Sequence, residues 1–439
     1  MALALRLAVA LVAYGAAGSE AFEARDTSSY LQPAAELVRT GAFARGGAPE
    51  IVRTPGYPLL LVPGLLLGPV AAVTVALQAL LGMATVYVVY AVARRLAPKA
   101  PVAAQAAALL CAVEPLSVLY AAKLLSETLF AFAVAAVLWA LLTYLATDRW
   151  AHLLATAAAL VGAAYVRPIG YYLPGLVAAA LLVRALVAGG SRRRRLGQWA
   201  VLCLAAAAGL GVWHLRNRRV VEYDGFAAIA DVNLYFFHAA AIRAALDGDD
   251  FYAVQERWGY RDEGVYLAAH PEQRSLSPGQ RYAAMRRQGL AALAAHPLTY
   301  AGIHLRGLAR VVVDPGALEY LRLFGRYPRA GGLLGVAIDR GLAAAAGQLW
   351  AQRPLAFAAH ALLGLALLAW YALAAVGLVR TRPRSLGLVL VVAVIAYLLV
   401  LSGGAVSLSR FRHPIMPPLC VLAGLGWAAL KRDRTPEGP

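Results

Sequence analysis

Long apolar stretches that are almost free of charge recur along the whole chain and constrain its fold more than any other feature. A hydrocarbon core of about 30 Å is crossed by about 20 such residues in a helix. The clearest candidates are Val70–Ala93, Thr128–Thr147, Pro354–Val379 and Ser385–Leu401. Shorter or interrupted candidates are Ala100–Val113, Ala151–Val166, Pro168–Val183, Leu196–Trp213 and Pro414–Leu430. With Met1–Gly18, they predict an all-α polytopic membrane protein of about ten transmembrane helices, because a helix satisfies its own backbone in lipid.

The amino-acid composition supports this class. Hydrophobic residues make up 61% of the 439 residues and charged residues only 15%, whereas average globular domains are about half apolar and a quarter charged. This excludes a disordered chain and an ordinary multi-domain cytosolic enzyme. The three cysteines each lie in an apolar run, which excludes a disulfide framework and a CxxC metal site.

The first apolar segment has two interpretations. Leu7–Ala17 follows Arg6 and has the length of the hydrophobic part of a signal peptide, with small residues after it. The same residues can form a first transmembrane helix that stays in the protein. We expect the retained helix.

The basic residues orient the predicted helices. The formal net charge is +18, and Lys and Arg concentrate at alternate ends of the spans, as the positive-inside rule requires of the cytoplasmic side. The residues assigned to the cytoplasm are Arg6, Arg94, Arg95, Lys99, Arg149, Arg184, Arg192, Arg193, Arg194, Arg195, Arg380, Arg382, Arg384, Lys431, Arg432 and Arg434. The basic surplus is therefore a topology signal, and we expect no nucleic-acid partner.

Two segments on the opposite, outer side are too polar to be simple connectors: Ser19–Tyr57 and His214–Arg353. In the second, Phe226–Ala245 and Arg281–Arg310 mix apolar and basic residues at helical spacing, which is typical of helices in the headgroup plane. A small soluble domain of about four helices is the alternative. We expect residues 1–213 to form an N-terminal transmembrane module, 214–353 an outer-face region, and 354–439 the C-terminal transmembrane helices.

Asp26 follows the first apolar segment directly and precedes a short predicted helix, Ser28–Thr40, which Gly41 would end. In one interpretation Asp26 is the helix N-cap, and Ser29 with Gln32 resembles a capping box. In the other, Asp26 is a carboxylate at the membrane surface that takes a proton from an acceptor hydroxyl or amine. Local sequence favours the cap.

A rigid turn follows where the chain re-enters the bilayer, in the sequence Arg53-Thr54-Pro55-Gly56-Tyr57-Pro58. Two prolines and a glycine fix the backbone beside Arg53. Arg53 can extend to lipid headgroups, as interfacial arginines commonly do. It can instead grip a phosphate, for which a guanidinium is well suited.

Further ionisable and polar residues lie near the remaining outer ends of the spans. They are Glu114, Lys123, Glu127, Arg167, Arg216, Asn217, Arg410, Arg412 and His413. Such groups at membrane depth are costly and indicate function by default. Lys123 and Glu127 alone could form a structural pair one helical turn apart. Carboxylates and arginines that converge on one face favour a site for a phosphate-bearing, membrane-embedded substrate.

Several common catalytic motifs are absent from the sequence. It contains no HExxH, His/Cys cluster, P-loop or GxSxG elbow. His296 and His304 are interpreted as helix-face residues. We predict no cofactor and no metal ligands, while the sequence leaves a divalent metal open.

In order and spacing, these motifs resemble the bacterial, polytopic branch of the dolichyl-phosphate-mannose–protein mannosyltransferase family. These are GT-C-fold glycosyltransferases that include the lipid A aminoarabinose transferase. The matching elements are Asp26 to Tyr30, Gly41 to Phe43, Arg53 to Pro58, Ser126 to Phe130, Val166-Arg167-Pro168, Arg216-Asn217, His296-Pro297 and Arg410 to Pro414.

The resemblance implies a GT-C bundle in the bacterial cytoplasmic membrane, with an active site facing the exterior. The enzyme would move a hexose or pentose from a polyprenyl phosphate to an acceptor by a single inverting displacement. Asp26 would be the general base and Glu127 the second acidic residue. Arg53, Arg410 and Arg412 would bind the donor phosphate. The other implied site residues are Tyr30, Tyr57, Lys123, Arg167 and Arg216.

The sequence departs from the family at one informative position. Eukaryotic and actinobacterial protein mannosyltransferases carry Asp-Glu in the first loop, whereas Thr27 follows Asp26 here. This argues against assigning a protein acceptor, and leaves a lipid, glycan or protein open. Two other functions compete: a transporter or flippase of lipid-linked sugars, which needs no general base, and an O-antigen-ligase-like enzyme, which would use arginine and histidine.

Overall fold

The chain folds into a bundle of α-helices in a computed structural model. The structure describes residues 1–187, 189–326, 353–381 and 385–432, and positions 343, 347, 350 and 351. Three residues that the charge pattern assigns to the cytoplasm, Arg382, Arg384 and Arg434, lie outside the described residues.

Ten helices and a hairpin form the first half of the chain. They are α1 (Ala2–Ala17), α2 (Thr27–Thr40), β1 (Ala44–Arg45), β2 (Ala48–Pro49), α3 (Gly56–Leu67), α4 (Val70–Leu96), α5 (Pro101–Val113), α6 (Pro115–Ala121), α7 (Glu127–Thr147), α8 (Trp150–Val166), α9 (Leu173–Val187) and α10 (Arg192–Val221). The antiparallel hairpin pairs Ala44 with Pro49 and Arg45 with Ala48. It is the one sheet among the described residues.

The second half continues with α11 (Ile229–Val232), α12 (Ala240–Asp247), α13 (Phe251–Arg257), α14 (Glu263–Ala269), α15 (Pro278–Ala295), α16 (Pro297–Val313), α17 (Ala317–Leu323), α18 (Pro354–Arg380), α19 (Leu386–Leu401) and α20 (Met416–Arg432). A π-helix, Asn233–Ala239, joins α11 to α12. Short 3-10 segments, Gly18–Phe22, Pro168–Tyr172, Pro271–Gln273 and Ser409–Ile415, extend or precede neighbouring helices.

The chain is a multi-pass membrane protein. Seven helical segments among the described residues are long and apolar enough to cross a bilayer: Ala2–Phe22, Val70–Leu96, Glu127–Thr147, Pro168–Val187, Arg192–Val221, Pro354–Arg380 and Ser409–Arg432. Helices α5 and α6 form an eighth span if the pair, bent by 50°, is counted as one. The predicted number of about ten is higher, because α8 and α19 are apolar helices of only 17 and 16 residues.

The helix α20 forms the buried centre of the bundle, between α18 and α5. Glycines let the backbones approach closely: a Cβ on Gly424 would lie 2.4 Å from the carbonyl oxygen of Ala103 in α5. A Cβ on Gly377 of α18 would lie 2.0 Å from the carbonyl oxygen of Leu422. Small residues drive helix association in lipid in this way, because apolar side chains gain little there by leaving the bilayer. This packing fixes the segment Ser409–Ile415 that precedes α20.

The first helix packs one face, with Arg6, Ala10 and Ala13, against the bundle, but Arg6 does not lie where the charge pattern predicts. Its side chain is buried and its guanidinium lies against Gly82, halfway along α4. Nη1 of Arg6 donates to the carbonyl oxygens of Ala2 and Ala112, at 3.0 and 3.1 Å. The carbonyl of Ala112 is free because α5 ends one residue later. The cytoplasmic assignment of Arg6 is therefore wrong.

The two outer segments are ordered where the structure describes them. The predicted helix Ser28–Thr40 is confirmed as α2, and Gly41 ends it in the left-handed conformation with φ 74°. The amphipathic stretch Phe226–Ala245 contains α11, the π-helix and most of α12. The stretch Arg281–Arg310 is divided between α15 and α16 at His296-Pro297, where proline starts the second helix. The three-part domain division stays a prediction.

Candidate active site

Asp26 lies between two arginines from distant parts of the chain. It occupies the N-cap position of α2, but its side chain makes no capping hydrogen bond. Its Oδ1 lies 3.3 Å from Nη2 of Arg53, and its Oδ2 lies 2.7 Å from Nη2 of Arg410. The capping interpretation is therefore wrong, because two guanidinium groups attract the carboxylate more strongly than the backbone amides of α2 do.

Arg53 points into the protein rather than towards the lipid headgroups. Its Nε donates to Oγ of Ser29 at 3.0 Å, and its Nη1 donates to the hydroxyl of Tyr30 at 3.2 Å. The guanidinium carbon also lies 4.6 Å from the centre of the Tyr30 ring. Only 16% of the side chain is exposed. The rigid turn at Pro55 thus directs Arg53 onto the first turn of α2.

Glu127 is the first residue of α7 and lies beside Asp26 in space. Its Oε1 is 2.7 Å from Nη1 of Arg167 and 3.9 Å from Nε of Arg410. Arg167 is held where α8 ends, with its guanidinium 5.8 Å from the ring centre of Phe130. Arg410 thus bridges the two carboxylates. We call Asp26, Arg53, Glu127, Arg167 and Arg410 the outer cluster.

The outer cluster holds three guanidinium groups and two carboxylates, so its formal charge is one positive. Several buried polar atoms in and beside it lack a hydrogen-bond partner among the described residues. These atoms are Glu127 Oε2, Arg167 Nη1, Arg410 Nε and His413 Nδ1. Arg167 Nη1 nevertheless forms an ion pair with Oε1 of Glu127 at 2.7 Å. Arg410 Nε is a buried donor without a hydrogen-bond partner among the described residues, which is rare. With the positive formal charge, it makes the outer cluster suited to an additional anion.

The charges of the cluster set the protonation of Asp26. Burial by itself would raise the pKa of the Asp26 carboxyl, but the charges of Arg410 and Arg53 outweigh burial and bring this pKa below its ordinary value. Burial likewise disfavours the charged form of Arg53, and the interactions with Tyr30 and Asp26 nevertheless raise the pKa of Arg53. Asp26 is therefore a carboxylate and Arg53 a cation at neutral pH.

Two other predicted residues, Tyr57 and Lys123, brace the segments around the cluster. The hydroxyl of Tyr57 donates to Oε1 of Gln78 at 3.0 Å, and both side chains are fully buried. Nζ of Lys123 donates to the carbonyl oxygen of Ala21 at 2.6 Å and so ties the break after α6 to the end of the first span. Lys123 and Glu127 do not share a helical turn, because α7 begins at Glu127.

The structure does not bring Arg216 and Arg412 to Asp26. Nη1 and Nη2 of Arg216 donate to the carbonyl oxygens of Glu50 and Phe43, at 2.6 and 2.9 Å. Nη1 of Arg412 donates to the carbonyl oxygens of Val311 and Val312 at the end of α16. Both guanidinium groups thus satisfy backbone carbonyls. The phosphate-binding role predicted for Arg412 has no support from this placement.

Sequence reasoning missed two residues near the cluster. Glu50 is buried, and its carboxylate accepts hydrogen bonds from the backbone N–H groups of Val52 and Arg53. In the sequence, Glu50 is marked only by its acidic side chain and its position three residues before Arg53. Tyr260 comes from the outer region: burial and then the charge of Asp26 raise its pKa. Tyr260 therefore lies within electrostatic range of Asp26, which nothing in the local sequence indicates.

Comparison with known families gives one match. Residues 53–213 match the family described as dolichyl-phosphate-mannose-protein mannosyltransferase. The matched residues include Arg53, Glu127 and Arg167, whereas Asp26 and Arg410 lie outside the match. A sequence comparison with curated proteins finds no match.

Solved structures share the fold. The oligosaccharyltransferase of Archaeoglobus fulgidus, tethered to an acceptor peptide containing the NVT sequon, aligns with 98% of this chain at a TM-score of 0.50 and 13% identity. Its apo form aligns with the whole chain at a TM-score of 0.48 and 14% identity. ArnT from Cupriavidus metallidurans bound to undecaprenyl phosphate aligns with 98% of the chain and 78% of its own length, at a TM-score of 0.40 and 20% identity.

At these identities the likeness shows the fold alone. The chain spans about half the length of the archaeal oligosaccharyltransferases, 52% and 50% of the two structures above. The family match covers less than half of the chain. Together they confirm the resemblance: the chain is a multi-pass membrane protein of the GT-C fold, similar over residues 53–213 to the dolichyl-phosphate-mannose-protein mannosyltransferase family.

Proposed function

We propose that this protein is an inverting glycosyltransferase that moves a sugar from a polyprenyl-phosphate donor to an acceptor at the outer face of the cytoplasmic membrane. The observation that carries the proposal is the outer cluster. Asp26 and Glu127 are joined by Arg410 in a buried site with a surplus positive charge. The family match supports the donor class, because its description names a mannose carried on dolichyl phosphate.

The surplus positive charge suits the donor phosphate. A phosphodiester brings one negative charge, which would neutralise the three arginines against the two carboxylates. Nε of Arg410, which has no hydrogen-bond partner among the described residues, is a donor for its oxygens. Guanidinium groups bind phosphate by paired hydrogen bonds and stabilise the charge that develops on it. Arg53 and Arg410 are the proposed donor-binding residues.

Asp26 is the proposed general base. The acceptor oxygen or nitrogen attacks the anomeric carbon while its proton passes to the carboxylate of Asp26. The bond between the anomeric carbon and the phosphate oxygen breaks, and its electron pair leaves with the polyprenyl phosphate. The configuration at the anomeric carbon inverts because the attack is a single displacement.

The ion pairs of Asp26 have a consequence for this mechanism. In the structure, Arg410 and Arg53 hold the pKa of Asp26 low, so the carboxylate is a weak base. A donor phosphate competes for the same two guanidinium groups. Its negative charge, placed near Asp26, raises the affinity of the carboxylate for a proton. Binding of the donor thus prepares the base.

The proposed orientation follows from the basic residues. Asp148 at the end of α7 lies 3.5 Å from Arg184 and 3.5 Å from Arg194, two residues assigned to the cytoplasmic side. The outer cluster lies at the opposite end of α7, where Glu127 begins it. The positive-inside rule then puts the cluster on the exterior.

The test separates transfer from transport. Purified full-length protein in liposomes is given undecaprenyl-phosphate-mannose and a membrane lipid extract, and the release of undecaprenyl phosphate is measured. We expect Asp26→Asn to lower this release by about 100-fold to 10,000-fold, the usual contribution of a general base. The control is Glu36→Gln, which changes a carboxylate on the same helix that pairs with the exposed Arg39.

The result would decide between the two functions. A transporter would move the labelled lipid across the bilayer without releasing undecaprenyl phosphate, and Asp26→Asn would leave that movement unchanged. Release by Asp26→Asn at the wild-type rate would contradict the assignment of the base. Mass spectrometry of lipids bound to the purified protein would identify the natural donor.

A further inference from the structure

The segment Phe43–Arg53 forms a small frame around the buried Glu50. Strands β1 and β2 are joined by Gly46 and Gly47, whose φ angles of 61° and 78° suit a two-residue hairpin turn. The backbone N–H of Glu50 donates to the carbonyl oxygen of Phe43 at 3.1 Å. The hairpin therefore fixes the position of Glu50, which precedes Arg53 by three residues in the sequence.

The carboxylate of Glu50 holds the backbone of Arg53. Its Oε1 accepts hydrogen bonds from the backbone N–H groups of Val52 and Arg53, at 2.5 and 2.9 Å. Its Oε2 lies 2.9 Å from Nε of Arg45, and the Glu50 side chain has no exposed surface. A buried carboxylate that takes two backbone amides fixes the chain like a helix cap, because charged acceptors make strong hydrogen bonds.

Arg216, near the end of α10, also holds this frame in place. Its guanidinium donates to the carbonyl oxygens of Glu50 and Phe43 and lies 4.8 Å from the ring centre of Trp213, one turn earlier in α10. The backbone N–H of Ala228 donates to the carbonyl oxygen of Ile51 at 2.8 Å. The residues on both sides of Glu50 are thus anchored to the outer region.

We infer that Glu50 is a positioning residue, which fixes the backbone at Arg53 so that this guanidinium is held ready for the phosphate of a polyprenyl-phosphate ligand. This inference rests on the proposed function. Among the described residues, Glu50 forms neither a hydrogen bond nor an ion pair with Asp26. It acts through Arg53. Arg216 supports the same frame, which gives this residue a role apart from phosphate binding.

The experiment is a double-mutant cycle on the full-length protein. The affinity for undecaprenyl phosphate is measured in nanodiscs for wild type, Glu50→Ala, Arg53→Ala and the double variant. We expect Glu50→Ala and Arg53→Ala each to weaken binding at least about tenfold. The double variant should bind no more weakly than Arg53→Ala alone, because Glu50 acts through the side chain that is already absent.

Two further variants separate positioning from folding. Glu50→Gln keeps an oxygen for the two backbone amides, so we expect it to restore binding to within about threefold of wild type. Glu36→Ala removes a carboxylate of the same outer segment and should leave binding unchanged. Thermal unfolding of each variant shows whether any loss of affinity follows loss of fold.

The outcomes distinguish the two proposals. If Arg53→Ala binds undecaprenyl phosphate as wild type does, the donor-binding role of Arg53 fails and the inference fails with it. If Arg53→Ala binds weakly but Glu50→Ala binds normally, the inference alone is overturned. The inference is also overturned if the two losses simply add, because Glu50 would then act independently of Arg53.

Discussion

The two ends of the helix bundle hold similar charged groups in different surroundings. At the outer end, Asp26 lies between Arg53 and Arg410. At the other end, Asp148 lies between Arg184 and Arg194, both at 3.5 Å, and 53% of the Arg194 side chain is exposed. Asp148 directly ends α7 in the left-handed conformation, so its position follows from local chain geometry.

The two aspartates have similar exposed fractions, 28% for Asp26 and 32% for Asp148. The ends differ in one arginine, since Arg410 is 22% and Arg194 53% exposed, and in Glu127, a second carboxylate of the outer cluster that is 3% exposed. Arg194 and Gln198 also donate to the carbonyl oxygen of Asp148, at 2.9 and 3.2 Å, which closes the end of α7. Both ends leave buried polar atoms without hydrogen-bond partners among the described residues: Nε of Arg410 and Oε2 of Glu127 in the outer cluster, and Nη1 of Arg184 at the other end. The outer cluster thus holds two carboxylates and three arginines, whereas the other end holds one carboxylate between two arginines.

Replacement of Arg410, which bridges Asp26 and Glu127, is expected to have the largest effect and tests the difference between the two ends. Arg410→Ala leaves two buried carboxylates without their shared cation, so we expect transfer activity to be lost. We also expect the free energy of unfolding to fall by about 3 to 5 kcal/mol, the usual cost of breaking a buried ion pair. The matched change at the other end, Arg194→Ala, should alter that free energy by less than about 0.5 kcal/mol.

These values are measured by thermal unfolding in detergent and by release of undecaprenyl phosphate from undecaprenyl-phosphate-mannose. Equal losses for the two variants would mean that burial does not distinguish the two ends. Arg410→Lys is a second variant that keeps the charge, so a folded protein is available if Arg410→Ala does not fold.

The affinity for the donor lipid should also differ between variants at the two ends of the bundle. Arg53→Ala should weaken binding of undecaprenyl phosphate by about 10-fold to 100-fold, because a charge-assisted hydrogen bond to phosphate contributes about 1.5 to 3 kcal/mol. Arg184→Ala removes an arginine of similar exposure from the opposite end of the bundle and should leave the affinity unchanged. Titration calorimetry in nanodiscs measures both. A comparable loss in Arg184→Ala would point to general attraction of the lipid by the basic surface.

The smallest expected effect is the pH dependence of stability. The pKa of Asp26 is lower in the folded protein than its ordinary value of about 3.9. Asp26 therefore stabilises the fold above about pH 4, and this contribution is lost as the pH falls through the lower folded value. Wild type should exceed Asp26→Asn in unfolding temperature at pH 7, and the difference should shrink towards pH 3.

The control for this titration is Glu36→Gln, whose unfolding temperature should follow that of wild type at each pH. A difference between wild type and Asp26→Asn that stays constant from pH 7 to pH 3 would show that the ion pairs of Asp26 do not stabilise the fold.

Parts of this structure were predictable because they depend on local sequence. The helix after Asp26 and its end at Gly41 follow from propensity and from the conformational freedom of glycine. The turn at Pro55 follows from two prolines and a glycine. The multi-pass class follows from the apolar segments. The number of spans was less predictable, because α8 and α19 are apolar but shorter than a bilayer requires.

Other features depended on contacts between distant residues. Local sequence favoured Asp26 as a cap, but Arg410, far along the chain, attracts its carboxylate instead. Arg6 matched the charge pattern of the cytoplasmic side, but a free carbonyl at the end of α5 holds it beside Gly82. Arg412 and Arg410 are two residues apart in one short segment, yet one binds carbonyls of α16 and the other the carboxylates.

By itself, the sequence determined that the chain is a helical membrane protein and which polar residues lie at its helix ends, because hydropathy and turn chemistry act over a few residues. Only the tertiary structure decided which of these residues meet. The close packing of α20 against α5 and α18 sets the position of Arg410, and the burial of a charge depends on every helix around it. A linear pattern carries no information about such distances.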